Sequence, residues 1–195
     1  GPLGIEVLRR GIIFIDLAIA HIAGLGLIFC AVALPEAPGW ALQLSVLSFV
    51  TFASISFWYL ERRVPQRIEA LIGVSFVLAA SVTFLLLADH PHAGDLIRQL
   101  LSGQILFVTW LDVVRHVPFF GIIFLIMLLR PISKHPLTFY VLFALSITSL
   151  VQLVGIYIVF ASLIIPAVVS ERTAHPTAVS WILGLLSITI GITFG

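Results

Sequence analysis

Residues 137–169 read LTFYVLFALSITSLVQLVGIYIVFASLIIPAVV, a run of 33 residues without a charged side chain. About 20 apolar residues, at a rise of 1.5 Å each, form a helix that crosses a hydrocarbon core of about 30 Å. The run is too long for one span; it is broken near Gln152 and Gly155, and Pro166 lies near its end. We therefore predict one spanning helix followed by a second, short or broken one.

The rest of the chain has the same apolar character. Of its 195 residues, 61% are hydrophobic and 10% are charged, and the mean hydropathy is +1.20. A soluble domain carries about 25% charged residues, so most of this surface must face lipid. The net charge of +1 indicates no nucleic-acid partner. The composition predicts an all-α fold, a polytopic transmembrane helical bundle.

Cutting the sequence at charges and prolines gives the other membrane segments. In chain order they are residues 12–34, 41–60, 69–88, 96–108, 111–129 and 178–195, of which 96–108 is too short to span. About seven membrane segments follow, in a single transmembrane domain over residues 1–195. Because the chain opens without Met and stops inside an apolar stretch, we expect a fragment that lacks a first and a last span.

The basic residues indicate the orientation of the bundle. If the spans alternate, one side collects Arg9, Arg10, Arg62, Arg63, Arg67, Arg130, Lys134 and Arg172, and the other keeps only Arg98 and Arg115. Positive charge favours the cytoplasmic side, so the first group is predicted to be cytoplasmic. The loop with His90 and His92 then faces outward.

No catalytic motif is present in the sequence. Neither a Gly-x-x-x-x-Gly-Lys-Ser/Thr phosphate loop nor a His-Glu-x-x-His metalloprotease motif occurs. The chain is therefore not expected to be an enzyme, and ATP-driven transport would need a separate ATPase.

Ionisable residues inside spans are the first candidates for function, because each costs roughly 2.5–3.5 kcal/mol or more in mid-bilayer. Asp16 and His21 lie in the first span, five residues apart and hence on different faces of a helix. Asp16 either lines a cation path or pairs with Arg9 or Arg10 at the interface. His21 is either a metal or proton site or a buried histidine bonded to a neighbouring helix.

Two more histidine-bearing places are candidates for metal binding. Asp112 and His116, four residues apart, share a helix face and could hold one cation, although Arg115 offers a plain salt bridge instead. His90 and His92 in the outward loop could gather divalent cations, or could simply be solvated.

Several blocks of the sequence resemble the zinc/manganese/iron family of ABC transporter permeases, the ZnuB-like type. They come in the family's order and span nearly the whole chain: Gly1-Pro2-Leu3-Gly4 with Arg9-Arg10, then AIAHIAGLG at 18–26, EALIGV at 69–74, DLIRQLLSGQIL at 95–106 and VGIYIVFASLIIPA at 154–167. Asp112 stands where the family often has an aspartate. The last block is the most specific.

The resemblance implies a permease subunit in the bacterial cytoplasmic (inner) membrane that carries zinc, manganese or iron and has no bound cofactor. It also implies three partners: a cytoplasmic ABC ATPase, an extracytoplasmic metal-binding protein and a second permease copy in a homodimer. The helix with His21 would line the cation route, after a turn at Gly1–Gly4. The family's aspartate lies four residues before its histidine, whereas Asp16 lies five before His21. Residues 130–136 are also shorter than the family's ATPase-docking stretch.

Three functions stay open at this point. The first is an ATP-driven importer of divalent metal cations. The second is a secondary carrier or channel for a cation, which would fit the short 130–136 segment. The third is a membrane scaffold that transports nothing, which would need no histidine inside a span.

Overall fold

The computed structural model describes residues 2–34, 36, 38–88, 90, 93–102 and 136–170, with isolated positions between 111 and 126 and at 179 and 182. The helices in these parts are α1 (Pro2–Arg10), α2 (Ile15–Ala33), α3 (Gly39–Arg63), α4 (Ile68–Leu87), α5 (Ala93–Ser102), α6 (Pro136–Val154) and α7 (Ile156–Ser170), and a short 3₁₀ turn at Pro65–Arg67 precedes α4. The predicted all-α fold is confirmed. The segments predicted at 111–129 and 178–195 lie largely outside the described residues.

The first three predicted spans are present as helices. In the described part of the chain, Ile15–Ala33, Gly39–Arg63 and Pro65–Leu87 are long and apolar enough to cross a membrane, and two shorter apolar helices follow. Proline sets several of their limits. Val64 precedes Pro65, and a residue before proline avoids the helical backbone, so α3 ends at Arg63.

The predicted interruption of residues 137–169 is also confirmed. Gly155 has φ +80°, a backbone conformation that glycine adopts without a steric cost, and it separates α6 from α7. Its N–H still bonds to the Val151 carbonyl at 2.9 Å, which closes the last turn of α6. Pro166 lies inside α7 and does not end it.

One expectation from the family resemblance is wrong. The Gly1–Gly4 stretch was expected to form a turn, but α1 is already helical at Pro2. The fixed φ of proline suits the first position of a helix, where the missing N–H is not needed.

The bundle is built around α2, which packs against α3, α4, α6 and α7. In the apolar 18-residue stretch of α2, 56% of the residues are buried, compared with 28% in the corresponding stretch of α3 and 22% in that of Pro65–Leu87. Five small residues on α2 are buried and allow its neighbours to approach closely: Ala18, Ala20, Ala23, Gly24 and Gly26. The outer faces of α3 and α4 expose large apolar side chains such as Phe52 and Leu85, as lipid-facing surfaces do.

Polar contacts between side chains and backbone also connect the helices of the bundle. At one end, named here the arginine end, the Arg10 Nη1 lies 2.7 Å from the Glu61 Oε1 and its Nε lies 3.0 Å from the Glu6 Oε1. The same guanidinium group stacks over the Phe139 ring at 4.7 Å. These contacts join α1, α3 and α6. Near the middle of α2, the Ser45 hydroxyl donates a hydrogen bond of 2.7 Å to the Gly26 carbonyl, which joins α3 to α2.

We expect Gly26→Ala to loosen the α2–α3 contact. A Cβ atom at Gly26 would lie 3.1 Å from the Phe49 Cβ and 3.2 Å from the Val46 Cα, and the backbone atom cannot move out of its way cheaply. Overpacking of this kind costs about 1–3 kcal/mol. Thermal unfolding of the purified protein in detergent measures the loss.

Gly73→Ala in α4 is the matched control, because a Cβ atom there meets nothing within 4 Å. We expect that variant to unfold at or above the wild-type temperature. Equal stability of the two variants would contradict the tight contact at Gly26.

Candidate functional site

The first candidate residue, Asp16, is almost completely enclosed at the start of α2. Its exposure is 2% although it carries a carboxylate. The Oδ1 atom accepts a hydrogen bond of 2.8 Å from the Leu17 N–H, whereas the buried Oδ2 atom has no partner among the described residues. Burying an oxygen atom without a hydrogen-bond partner costs free energy. A proton on the Oδ2 atom, or a cation bound to it, would remove this cost.

Glu69, in the first turn of α4, lies close to the start of α2. Its Oε1 atom accepts a hydrogen bond of 3.2 Å from the Phe14 N–H, and its Oε2 atom is buried without a partner in the described part of the chain. Phe14 immediately precedes α2, and Asp16 is the second residue of that helix, so Glu69 lies near the same end of α2 as Asp16. The two side chains, named here the carboxylate pair, place two acidic groups where α2 and α4 begin.

The arginines nearest in sequence do not neutralise the carboxylate pair. Arg10 pairs with Glu6 and Glu61, and the Arg9 Nη1 lies 3.5 Å from the Glu6 Oε2. The alternative in which Asp16 pairs with Arg9 or Arg10 is therefore not the arrangement found. Two carboxylates that share a site cannot both stay charged in a low dielectric without a positive partner.

His21 lies further along α2, six residues or about 9 Å beyond Ile15. Its Nδ1 atom lies 3.0 Å from the Leu17 carbonyl oxygen, which can only accept, so this contact requires the hydrogen on Nδ1. The ring is half-buried and meets the Phe76 ring of α4 edge-on at a centroid distance of 4.7 Å. The neutral ring then keeps a lone pair on Nε2.

This arrangement is the one that metal-binding histidines commonly have. Their second ring nitrogen usually donates to a backbone carbonyl or a carboxylate, and this bond fixes the tautomer and the ring orientation. In His21 the Leu17 carbonyl has that role, and Nε2 is the atom that could meet a cation or a proton. The alternative of a histidine bonded to a neighbouring helix is not the arrangement found, because the Nδ1 atom bonds to a carbonyl group of α2 itself.

The predicted candidates are not gathered into one cluster. No three metal-ligating side chains lie together anywhere in the described ranges, and Asp16 and His21 share no hydrogen bond or ion pair there. His90 is exposed just beyond the end of α4, whereas Glu69 is in the first turn of that helix, so the two lie at opposite ends of α4. Asp112, His116 and His92 lie outside the described residues.

Glu69 is the residue that sequence reasoning missed. It stood at the limit of a predicted span and inside a block that resembles the permease family, and it was interpreted as a span boundary. Its relation to Asp16 depends on how α4 packs against α2, over 50 residues earlier in the chain. The sequence feature that could have indicated a role for Glu69 is its position as the single acidic residue at the start of an otherwise apolar helix.

Comparison with known proteins agrees with the fold. The sequence profile of the ABC 3 transport family matches residues 1–133 and 130–195, which together cover the whole chain. Comparison with curated proteins and with solved structures gives no match. With the apolar helices of the bundle, the family match indicates a membrane location. The chain belongs to the ABC 3 transport family, the family of metal-type ABC transporter permeases.

Proposed function

We propose that this permease forms the translocation path of an importer for a divalent metal cation: zinc, manganese or iron. The observation that carries the proposal is the carboxylate pair: Asp16 is buried and Glu69 is partly buried, and each has one enclosed carboxylate oxygen without a partner among the described residues. His21 lies on the same helix, with a ring nitrogen available for a ligand. Carboxylate and imidazole are the donors that these metals accept.

The proposed path follows the contact between α2 and α4. A cation that leaves His21 toward the arginine end meets the carboxylate pair next, since Asp16 precedes His21 on α2 and Glu69 opens α4. Neutral imidazole binds without adding charge, and the two carboxylates then offset the charge of a divalent ion. The outward loop with His90 and His92 is the proposed place of first contact.

The arginine end is proposed to face the cytoplasm of a bacterial cell, because it carries Arg9, Arg10, Arg62 and Arg63. In this orientation the carboxylate pair is the last group of ligands that the cation meets before its release into the cytoplasm. A cytoplasmic ABC ATPase supplies the energy, an extracytoplasmic protein delivers the metal, and a second permease copy completes the path. A scaffold that transports nothing would have no use for buried carboxylates, which cost free energy in lipid.

The orientation predicts opposite labelling of two exposed positions. Cys30 is replaced by Ala, and single cysteines are placed at Gln66, in the 3₁₀ turn of the arginine end, or at His90, at the opposite end. In intact cells, a membrane-impermeant maleimide should label His90→Cys and spare Gln66→Cys until the membrane is opened. Labelling of both from outside would overturn the threading.

The His21 side chain is expected to be required for uptake. His21→Asn keeps a donor close to the Nδ1 position, and hence the bond to Leu17, but removes Nε2. Loss of a residue that only orients a metal ligand costs about 10–100-fold in metal affinity, and removal of the ligand itself should cost at least as much. The measurement is chelator-sensitive uptake of radioactive zinc or manganese by the complete importer.

Ser75→Ala is the control for His21→Asn. Its hydroxyl group bonds to the Leu71 carbonyl of its own helix, next to Phe76, so its loss should leave uptake unchanged. Wild-type uptake in His21→Asn would remove this histidine from the mechanism. Uptake that persists without ATP or the ATPase would favour the secondary carrier.

We expect the carboxylate pair to lower the stability of the metal-free protein and to provide the binding of the metal ion. Asp16→Asn or Glu69→Gln replaces one carboxyl group with a neutral amide, so the metal-free variants need neither protonate a carboxylate nor hold two like charges. They should therefore unfold at or above the wild-type temperature. Manganese or zinc at 100 times its dissociation constant should stabilise the wild type by about 2.7 kcal/mol and stabilise the variants much less. Calorimetry of the purified importer with and without metal measures both effects.

Glu36→Gln, in an exposed turn, is the matched control and should keep the metal-dependent shift. An equal shift in Asp16→Asn and in the wild type would show that the pair does not bind the ion.

A further inference from the structure

An open groove of about 380 Å³ lies at the arginine end, between the last turns of α3 and the first turn of α6. The described residues that line it are Trp58 and Arg62 of α3 and Pro136, Leu137 and Thr138 of α6. Three of these side chains are apolar, Arg62 carries a positive charge, and none is acidic. The groove therefore offers an apolar wall together with a cationic group.

Arg62 is a cation without an acidic partner. At the same end of the bundle, Arg10 pairs with both Glu6 and Glu61, whereas Arg62 forms no ion pair within the described ranges. Its guanidinium group lies instead over the ring of Trp58, with the Cζ atom 5.1 Å from the ring centroid. Stacking uses the flat face of the guanidinium group and leaves the N–H groups at its edge available for oxygen atoms.

The next residue along α3 repeats this arrangement. The Arg63 Cζ atom lies 5.4 Å from the centroid of the Tyr59 ring, and both side chains are exposed. Tryptophan and tyrosine are enriched where a membrane helix passes through the level of the lipid headgroups. Two successive pairs of an aromatic ring and an arginine therefore place the end of α3 at that level, with two positive charges.

An exposed apolar face of α3 leads from the groove toward the middle of the membrane. Ile55 lies three residues before Trp58 and seven before Arg62, and these spacings place residues on one face of a helix. Ile55 is 47% exposed, and Phe52, three residues earlier, is 75% exposed. The rise from Ile55 to Arg62 is about 10 Å, less than half of a hydrocarbon core of about 30 Å. A single amphipathic molecule can therefore contact both the groove and this face.

We propose that the groove binds one anionic phospholipid, with its phosphate against the Arg62 guanidinium group and an acyl chain along Ile55 and Phe52. A guanidinium group matches two phosphate oxygens in a bidentate geometry. Basic pockets between membrane helices are typical binding places for anionic headgroups. An acidic protein surface would also match the charge of Arg62, but it would not extend onto the apolar face of α3. The proposal does not depend on which cation the permease carries.

Native mass spectrometry of the purified complete importer tests the proposal, with phosphatidylglycerol as the probe. Arg62→Gln removes the charge and keeps a polar side chain at an exposed position, so folding should not change. One basic residue near an anionic lipid surface changes binding about fivefold, and the dissociation constant of the most tightly bound phosphatidylglycerol should rise by that factor. Phosphatidylcholine, which has no net charge, should bind the wild type more weakly than phosphatidylglycerol.

Arg67→Gln is the matched control. It removes an equal charge from the same end of the bundle, but Arg67 is exposed in the 3₁₀ turn and is not among the described residues that line the groove. We expect it to keep the wild-type affinity. Arg62→Lys keeps the charge and loses the planar fork, so its affinity should lie between those of the wild type and Arg62→Gln.

Each remaining outcome would overturn the proposal. Equal weakening by Arg62→Gln and Arg67→Gln would show a general effect of surface charge and no site. Displacement of the lipid by an equal concentration of inorganic phosphate would show that the acyl chain contributes nothing. Unchanged lipid affinity in Arg62→Gln, with loss of the ATPase during purification, would assign the groove to a protein partner. Weakening by Arg62→Gln alone, with partial recovery in Arg62→Lys, supports the lipid site.

Discussion

The rest of the structure depends on the enclosure of α2. Lipid offers no hydrogen bonds and no counter-charge, so a helix that carries Asp16 and His21 must be surrounded by other helices. Small side chains along α2 allow this, and the contact between Gly26 and the α3 backbone shows how close the approach is. The outer helices α3 and α4 then face lipid with apolar side chains and need no polar partners there.

Much of this fold could be predicted from local sequence, because a membrane span is mainly a matter of length and polarity. The helices Ile15–Ala33 and Gly39–Arg63 lie where uninterrupted apolar runs lie. The break at Gly155 was also visible, since glycine between two apolar halves marks a place where the backbone can leave the helix. The helix that begins at Pro2 was not predicted, because the family resemblance was followed instead of the preference of proline for a first helical position.

The candidate site could be predicted only in part, because its arrangement depends on contacts between helices that are far apart in sequence. His21 was recognisable as an imidazole inside a span, but the bond from Nδ1 to Leu17 that orients it was not. For Asp16, pairing with Arg9 or Arg10 was one of two alternatives, whereas Arg10 pairs with Glu61, and Glu69 lies at the same end of α2 as Asp16. Such choices among partners far apart in sequence depend on helix rotation and packing, which hydropathy does not encode.

The closeness of α2 to α3 also bears on how the protein is made. Few residues join these two helices, and the Ser45 hydroxyl holds the Gly26 carbonyl, so they can leave the ribosome and enter the membrane as a hairpin. Helix α6 is synthesised more than 100 residues after α2. Until it arrives, acyl chains must cover the side of α2 on which Gly24 and Ile28 lie. Docking of α6 therefore displaces lipid from this side of α2, and the enclosure of α2 is complete only after α6 has been synthesised.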